Sequence, residues 1–126
     1  MQRRQRLTGS KRFSQIHAEG SSAANRLLVI RYLANDLDCG RFGFLVSKRI
    51  GNAAVRNKVK RRMRDAVRLN PVKAGWDALF IVRRGAGMAK YQELKDATDN
   101  LLRRANLVEE IPQPTGPGPS VDQPDE

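Results

Sequence analysis

Residues 48–68 read KRIGNAAVRNKVKRRMRDAVR, and they leave this chain few ways to fold. Nine basic side chains (Lys48, Arg49, Arg56, Lys58, Lys60, Arg61, Arg62, Arg64, Arg68) stand there against one acid, Asp65. At about 100° per residue, Val55, Val59, Met63, Ala66 and Val67 gather within roughly 120° of a helical wheel, the width of a core-facing stripe. Asn57, Lys60, Arg61, Arg64 and Arg68 gather in a band of about 100° on the far side, with Lys58 and Arg62 on the other shoulder. The spacing predicts a helix over 52–69, closed by Asn70-Pro71. One face needs a core. The other carries like charges at i, i+3 and i+4, which repel by roughly a few tenths of a kcal/mol per pair. A merely solvated face mixes both signs, whereas an unpaired stripe of one sign is the footprint of a phosphate-binding surface. Arginine forks suit phosphate, and Asn57 can hydrogen-bond a base edge or a 2′-hydroxyl. The lead-in Ser47–Asn52 brings the chain through Gly51 to a helix N-terminus, whose unpaired N–H groups favour anions.

The rest of the chain repeats the imbalance. It has 126 residues with 24 Lys+Arg against 13 Asp+Glu. Five of those acids (Glu109, Glu110, Asp122, Asp125, Glu126) follow residue 108, where there is no Lys or Arg, so residues 1–108 carry 24 basic and eight acidic groups, a net of +16. A field that strong on one small domain points first to nucleic acid and second to an anionic membrane. The membrane partner is disfavoured, because Val55, Val59 and Met63 suit a core better than a bilayer interface. No run is long enough to span a bilayer, and the N-terminus lacks a secretory apolar stretch. Cys39 is the single cysteine of the sequence, so it cannot make an internal disulfide or share a metal site with a second cysteine. These features predict a cytoplasmic protein.

Along the chain, residues 1–9 read as a flexible basic arm. Ser10 is placed to cap a helix over 11–19 that Gly20 stops, with Phe13 and Ile16 on one face and His17 one turn beyond Phe13. Residues 21–25 form a short strand or a loop. The apolar run 26–34, a turn over 35–40 and the run 41–47 predict a hairpin. After the basic helix come a strand over 77–83, a break at Gly85-Ala86-Gly87, and a helix over 90–105 with Leu94, Ala97, Leu101, Leu102 and Ala105 at helical spacing. Residues 109–126 form an acidic Pro/Gly-rich tail whose composition predicts disorder. The domain proper is 10–108, an α+β sandwich with helices on a small sheet.

The run SKRIGNAAVRNKVKRRMR over Ser47–Arg64 closely resembles the signature of the bacterial ribonuclease P protein component family, with Arg56-Asn57-Lys58 as its Arg-Asn-Arg type segment. Arg6-Leu7 through Phe13 and Ile16, the lead-in Ala24-Asn25-Arg26 and the run Leu79–Arg83 also match, so the resemblance covers about residues 3–107. It implies a two-layer α+β sandwich with a four-stranded mixed sheet, in the order α-β-β-β-α-β-α. It also implies a left-handed βαβ crossover around the signature helix, against the usual right-handed rule. By the same resemblance the protein is an accessory subunit of an endoribonuclease that removes the 5′ leader of precursor tRNA. Catalysis is then by the RNA subunit, with Mg2+ held mainly by that RNA and no cofactor bound tightly by the protein. Lys48, Arg49, Arg56, Asn57, Lys58, Lys60, Arg61, Arg64 and Arg68 are implied to contact the catalytic RNA. A cleft between the first helix and the sheet, with Phe13, His17, Asn25, Leu28 and Arg31, is implied to hold the single-stranded leader.

In that cleft His17 and Leu28 stand where the family often has aromatics, and Arg31 where it often has tyrosine, so charge is expected to matter more than stacking. The residues themselves show no nucleophile–base pair and no metal cluster. Asp36 and Asp38 fit turn chemistry, Asp65 relieves the basic helix, and Trp76-Asp77 mark the start of a strand. A ribosomal or ribosome-assembly protein that binds rRNA is the alternative with the same size, charge and fold. No membrane and no small-molecule substrate are expected.

Overall fold

The structure, a computed structural model, describes Arg6, Leu7 and Gly9–Val108. The expected tail over 109–126 and most of the expected arm lie outside the described residues. Within them the chain forms α1 (Ser10–Glu19), β1 (Ser21–Ala24), β2 (Leu28–Ala34), β3 (Arg41–Leu45), a 3-10 turn (Lys48–Ile50), α2 (Ala53–Arg68), β4 (Trp76–Val82), a second 3-10 turn (Arg84–Met88) and α3 (Tyr91–Arg104).

The strand order is β1-β2-β4-β3, with β2 antiparallel to both β1 and β4, and β3 parallel to β4. The expected hairpin of β2 with β3 therefore does not form. β4 inserts between them and pairs with β2 over seven residues, Leu28 opposite Val82 through Ala34 opposite Trp76. The reason is burial: WDALFIV is almost continuously apolar, and such a strand is stable only at the centre of a sheet, covered on both faces.

Alternation along the strands sorts their side chains. Leu28, Ile30, Phe42, Ala78, Phe80 and Val82 face α2 and α3 and meet Val59, Met63, Val67, Leu94, Leu101 and Leu102 in the main core. Phe44 stacks on Phe80 at 5.9 Å, and Tyr32 meets Trp76 edge-on at 6.0 Å. The opposite face carries α1, where Leu7, Ile16 and Leu79 make a second, smaller cluster with Phe13, Leu33 and Ile81 at its margin. The body is thus a sandwich of sheet on α2–α3, with α1 across part of the sheet's other face.

Three local expectations change. Ser10 does not cap α1; it is the first helical residue, and Gly9 is the N-cap, with φ 99° and no side chain to offer. Arg6 and Leu7 are not free. The Leu7 N–H donates to the Phe42 carbonyl at 2.8 Å and Leu7 is buried, so this segment pairs with the edge of β3. Asn52 is the N-cap of α2, its side-chain oxygen accepting from the Val55 N–H at 3.0 Å.

Candidate nucleic-acid interface

α2 is oriented by its apolar stripe. Val59, Met63, Ala66 and Val67 are buried and Val55 is half-buried, so the far side of the helix must face outward. Two glycines fix how the chain reaches it. A Cβ on Gly51 would lie 2.9 Å from the Val55 side chain, and one on Gly87 would lie 2.6 Å from the Ile50 carbonyl oxygen. The two 3-10 turns can touch, and the lead-in can fold tightly onto α2, only because both positions lack side chains.

The result is one exposed cationic surface. Lys48 and Arg49 on the turn, and Asn57, Lys58, Arg61, Arg64 and Arg68 on α2, are exposed; Arg56 and Lys60 are half-buried. Among the described residues the one ion pair on this face is Arg68–Asp65 at 3.4 Å, between two largely exposed groups, which is worth little. Arg62 does different work: it is half-buried and donates from Nη1 to the Ala89 carbonyl at 3.0 Å, tying α2 to the start of α3. Arg6, Lys60 and Arg64 also rim a cavity of about 240 Å3 with Leu7, Phe13, Phe42, Gly43 and Phe44, which links this face to the edge of β3 and to α1.

The residues expected in the cleft divide. Arg31 donates from Nη2 to the carbonyl of the exposed His17, joining β2 to α1 one turn beyond Phe13, which is half-buried at the margin of the Leu7–Ile16–Leu79 cluster. Leu28 does not join them. It is fully buried in the main core, because its place in the alternation of β2 turns it to the α2–α3 face. Asn25 does not either. Its Oδ1 accepts from the Leu27 and Leu28 N–H groups at 3.2 and 3.0 Å, and its Nδ2 donates to the Ala97 carbonyl at 2.9 Å and Asn100 Oδ1 at 3.2 Å. It is a brace between β1 and α3.

On the same side of the sheet as α1 lies an apolar row that only the strand register reveals. Register places Ala24 beside Val29, Val29 beside Ile81, and Ile81 beside Leu45, on the face that carries α1. Ala24 is exposed, Val29 and Ile81 are half-buried, and Leu45 is 41% exposed, so the helix leaves this apolar row open. The period-2 pattern of these strands carried that signal, but only once the register was known.

Asp77 was also missed. It is fully buried on β4. Its Oδ2 accepts from Arg12 Nε and Arg41 Nη2, both at 2.7 Å, and its Oδ1 from Arg41 Nε and Asn35 Nδ2, both at 2.8 Å. Burial pushes its carboxyl up, but the hydrogen bonds from Arg41, Asn35 and Arg12 and the attraction of Arg41 outweigh this and hold it below its usual value. An acid inside an apolar strand cannot stay unpaired, which was the available clue that it meets the arginines around it.

Fold and surface together define a small basic α+β protein shaped to meet a polyanion along one helix. The pattern of the family described as Ribonuclease P matches residues 1–106. The chain is 35% identical over 115 residues to the ribonuclease P protein component of Dehalococcoides mccartyi, covering 91% of this chain and 96% of that one. It is 37% identical over 110 residues to that of Alkaliphilus metalliredigens, covering 86% and 99%. The solved RNase P protein of Staphylococcus aureus superposes with a TM-score of 0.77 at 30% identity, covering 83% of this chain and 98% of that one. The Thermotoga maritima protein gives 0.73 at 30% identity, covering 79% and 96%. The chain belongs to the ribonuclease P protein component family. It has the role of an RNase P subunit in tRNA 5′ processing, and the ribosomal alternative is not favoured.

Proposed function

We propose that the outer face of α2 and the turn leading into it hold the catalytic RNA of RNase P, while α1 and the open sheet row hold the 5′ leader of precursor tRNA. Lys48, Arg49, Arg56, Asn57, Lys58, Lys60, Arg61, Arg64 and Arg68 make the first contact. Phe13, His17 and Arg31, with Val29, Ile81 and Leu45, make the second. The observation that carries this is the unpaired single-sign face of α2, turned outward by its own apolar stripe. Phosphates are the natural counter-charge, since each contact releases condensed counterions. The cleft suits a single strand: apolar side chains and Phe13 meet splayed bases, and Arg31 contributes charge.

The protein itself does not cleave RNA in this reading. Among the described residues the buried Asp77 is held by Arg12 and Arg41 and the half-buried Asp99 by Lys95 at 2.8 Å, so both carboxylates are engaged by cations. Mg2+, held mainly by the RNA in the cytoplasmic holoenzyme, would supply the charge stabilisation and activated water of phosphodiester hydrolysis. The protein's part is affinity and placement. The test is cleavage of a precursor tRNA by the purified protein, by the catalytic RNA and by both together. Leader removal should require the RNA and improve with the protein. Turnover that follows the protein alone and survives nuclease treatment would refute the assignment.

A further inference from the structure

We propose that Asp77 is a positioning residue for the leader cleft, holding α1 at the angle that aims Phe13 and His17 over the open sheet row. The proposal rests on the cleft reading above. Helix α1 has only ten residues, too few to be stable by itself. Its one fully buried side chain is Ile16, which meets Leu7 and Leu79. So small a contact holds a helix down but fixes its direction poorly. Direction comes from polar ties at the two ends. At the N-terminal end Arg12 donates from Nε to Asp77 Oδ2 at 2.7 Å and from Nη2 to the Ala34 carbonyl at 3.0 Å. At the C-terminal end Arg31 reaches the His17 carbonyl. Arg12 is itself braced by Gln15, one turn on, through Nη1 to Oε1 at 2.7 Å.

Asp77 is suited to be the fixed end of this tie. It sits on the central strand, in the row Leu33–Asp77–Arg41, about 13 Å along β4 from Ile81 in the open row. The Arg41 fork and Asn35 fill its remaining acceptor sites, so its carboxylate cannot rotate to follow the helix. A buried ion pair returns little net stability, because desolvation offsets attraction; what it does confer is geometry. One carboxylate therefore joins α1, the 35–40 loop, β3 and β4 without itself being among the residues proposed to touch RNA.

The discriminating experiment measures binding of precursor tRNA with and without its leader to the reconstituted holoenzyme, for wild type, Asp77→Asn, Arg12→Gln, Phe13→Ala and His17→Ala. Affinity for the catalytic RNA and amide exchange of α1 are measured on the same proteins. Arg12→Gln is the safer variant, since Asp77 keeps the Arg41 fork and Asn35 and the fold is not left with an unpaired buried charge. Arg12→Gln and Asp77→Asn should each reduce the preference for leader-bearing substrate by about tenfold, the scale of one charge-assisted hydrogen bond. Exchange in α1 should quicken while affinity for the catalytic RNA stays at wild type. If Phe13→Ala lowers the leader preference and Arg12→Gln does not, the cleft stands and the positioning role is refuted. If Phe13→Ala and His17→Ala also leave the preference unchanged, the cleft reading fails and this proposal falls with it. Equal losses for leader-bearing and leaderless tRNA would likewise overturn it, by showing a general loss of fold.

Discussion

Arg62 and Arg64 lie two residues apart on the same helix in opposite surroundings, so they test the proposed interface against its own scaffold. Arg64 is exposed and makes no ion pair among the described residues, whereas Arg62 is half-buried and donates to the Ala89 carbonyl at 3.0 Å. Arg64→Ala removes a proposed phosphate contact and takes nothing from the buried core. The slope of log affinity against log salt for the catalytic RNA should flatten by about 0.7–0.9. Between 50 and 200 mM salt, the wild-type loss of affinity should therefore shrink by about threefold. Its melting temperature should hold or rise slightly, because a like-charge neighbour has gone and alanine favours helix. Arg62→Ala should show the reverse. It loses a bond worth about 1–2 kcal/mol and the packing of its stem, which lowers the melting temperature by several degrees, while the salt slope stays parallel to wild type. The assay is a salt series of binding constants beside thermal melts for the three proteins. Parallel slopes for Arg64→Ala together with earlier melting would show that the outer face of α2 is structural, and the interface assigned here would be wrong.

Two further outcomes concern the body of the fold. Met63 is fully buried, with its sulfur 3.7 Å from the Thr98 hydroxyl, so Met63→Ala should cost about 2–5 kcal/mol in denaturant unfolding; a loss below about 1 kcal/mol would mean that α2 and α3 repack around the gap. The Asp77 carboxyl is held below its ordinary value, so its contribution is fully present above the ordinary carboxylate range and is lost as pH falls through the lowered value. Melting temperatures of wild type and Asp77→Asn should therefore converge as pH falls below about 4, and a gap that stays constant with pH would remove the buried carboxylate as its source.

The helical wheel of residues 52–69 by itself determined the most important part of this protein: which side of α2 is buried, which is charged, and that the charge lacks an internal partner. Those properties are local, set by a 3.6-residue period and by residue type, and they reached the family signature without any tertiary information. Helices α1 and α3, strands β2, β3 and β4 and the parts of Ser47–Arg64 that touch solvent were legible for the same reason, while the four residues of β1 are too few to tell a strand from a loop. Register was not legible. The continuous apolar run of β4 does not say which strands flank it, so the sequence predicts a hairpin about the turn at 35–40 where that loop in fact joins strands that β4 separates. That choice decides which residues alternate to which face. It sends Leu28 into the core, opens the row Ala24–Val29–Ile81–Leu45, and brings Asp77 under Arg12, 65 residues away in the chain. Pairings over that distance depend on how every other element shares the core, and no local pattern records them.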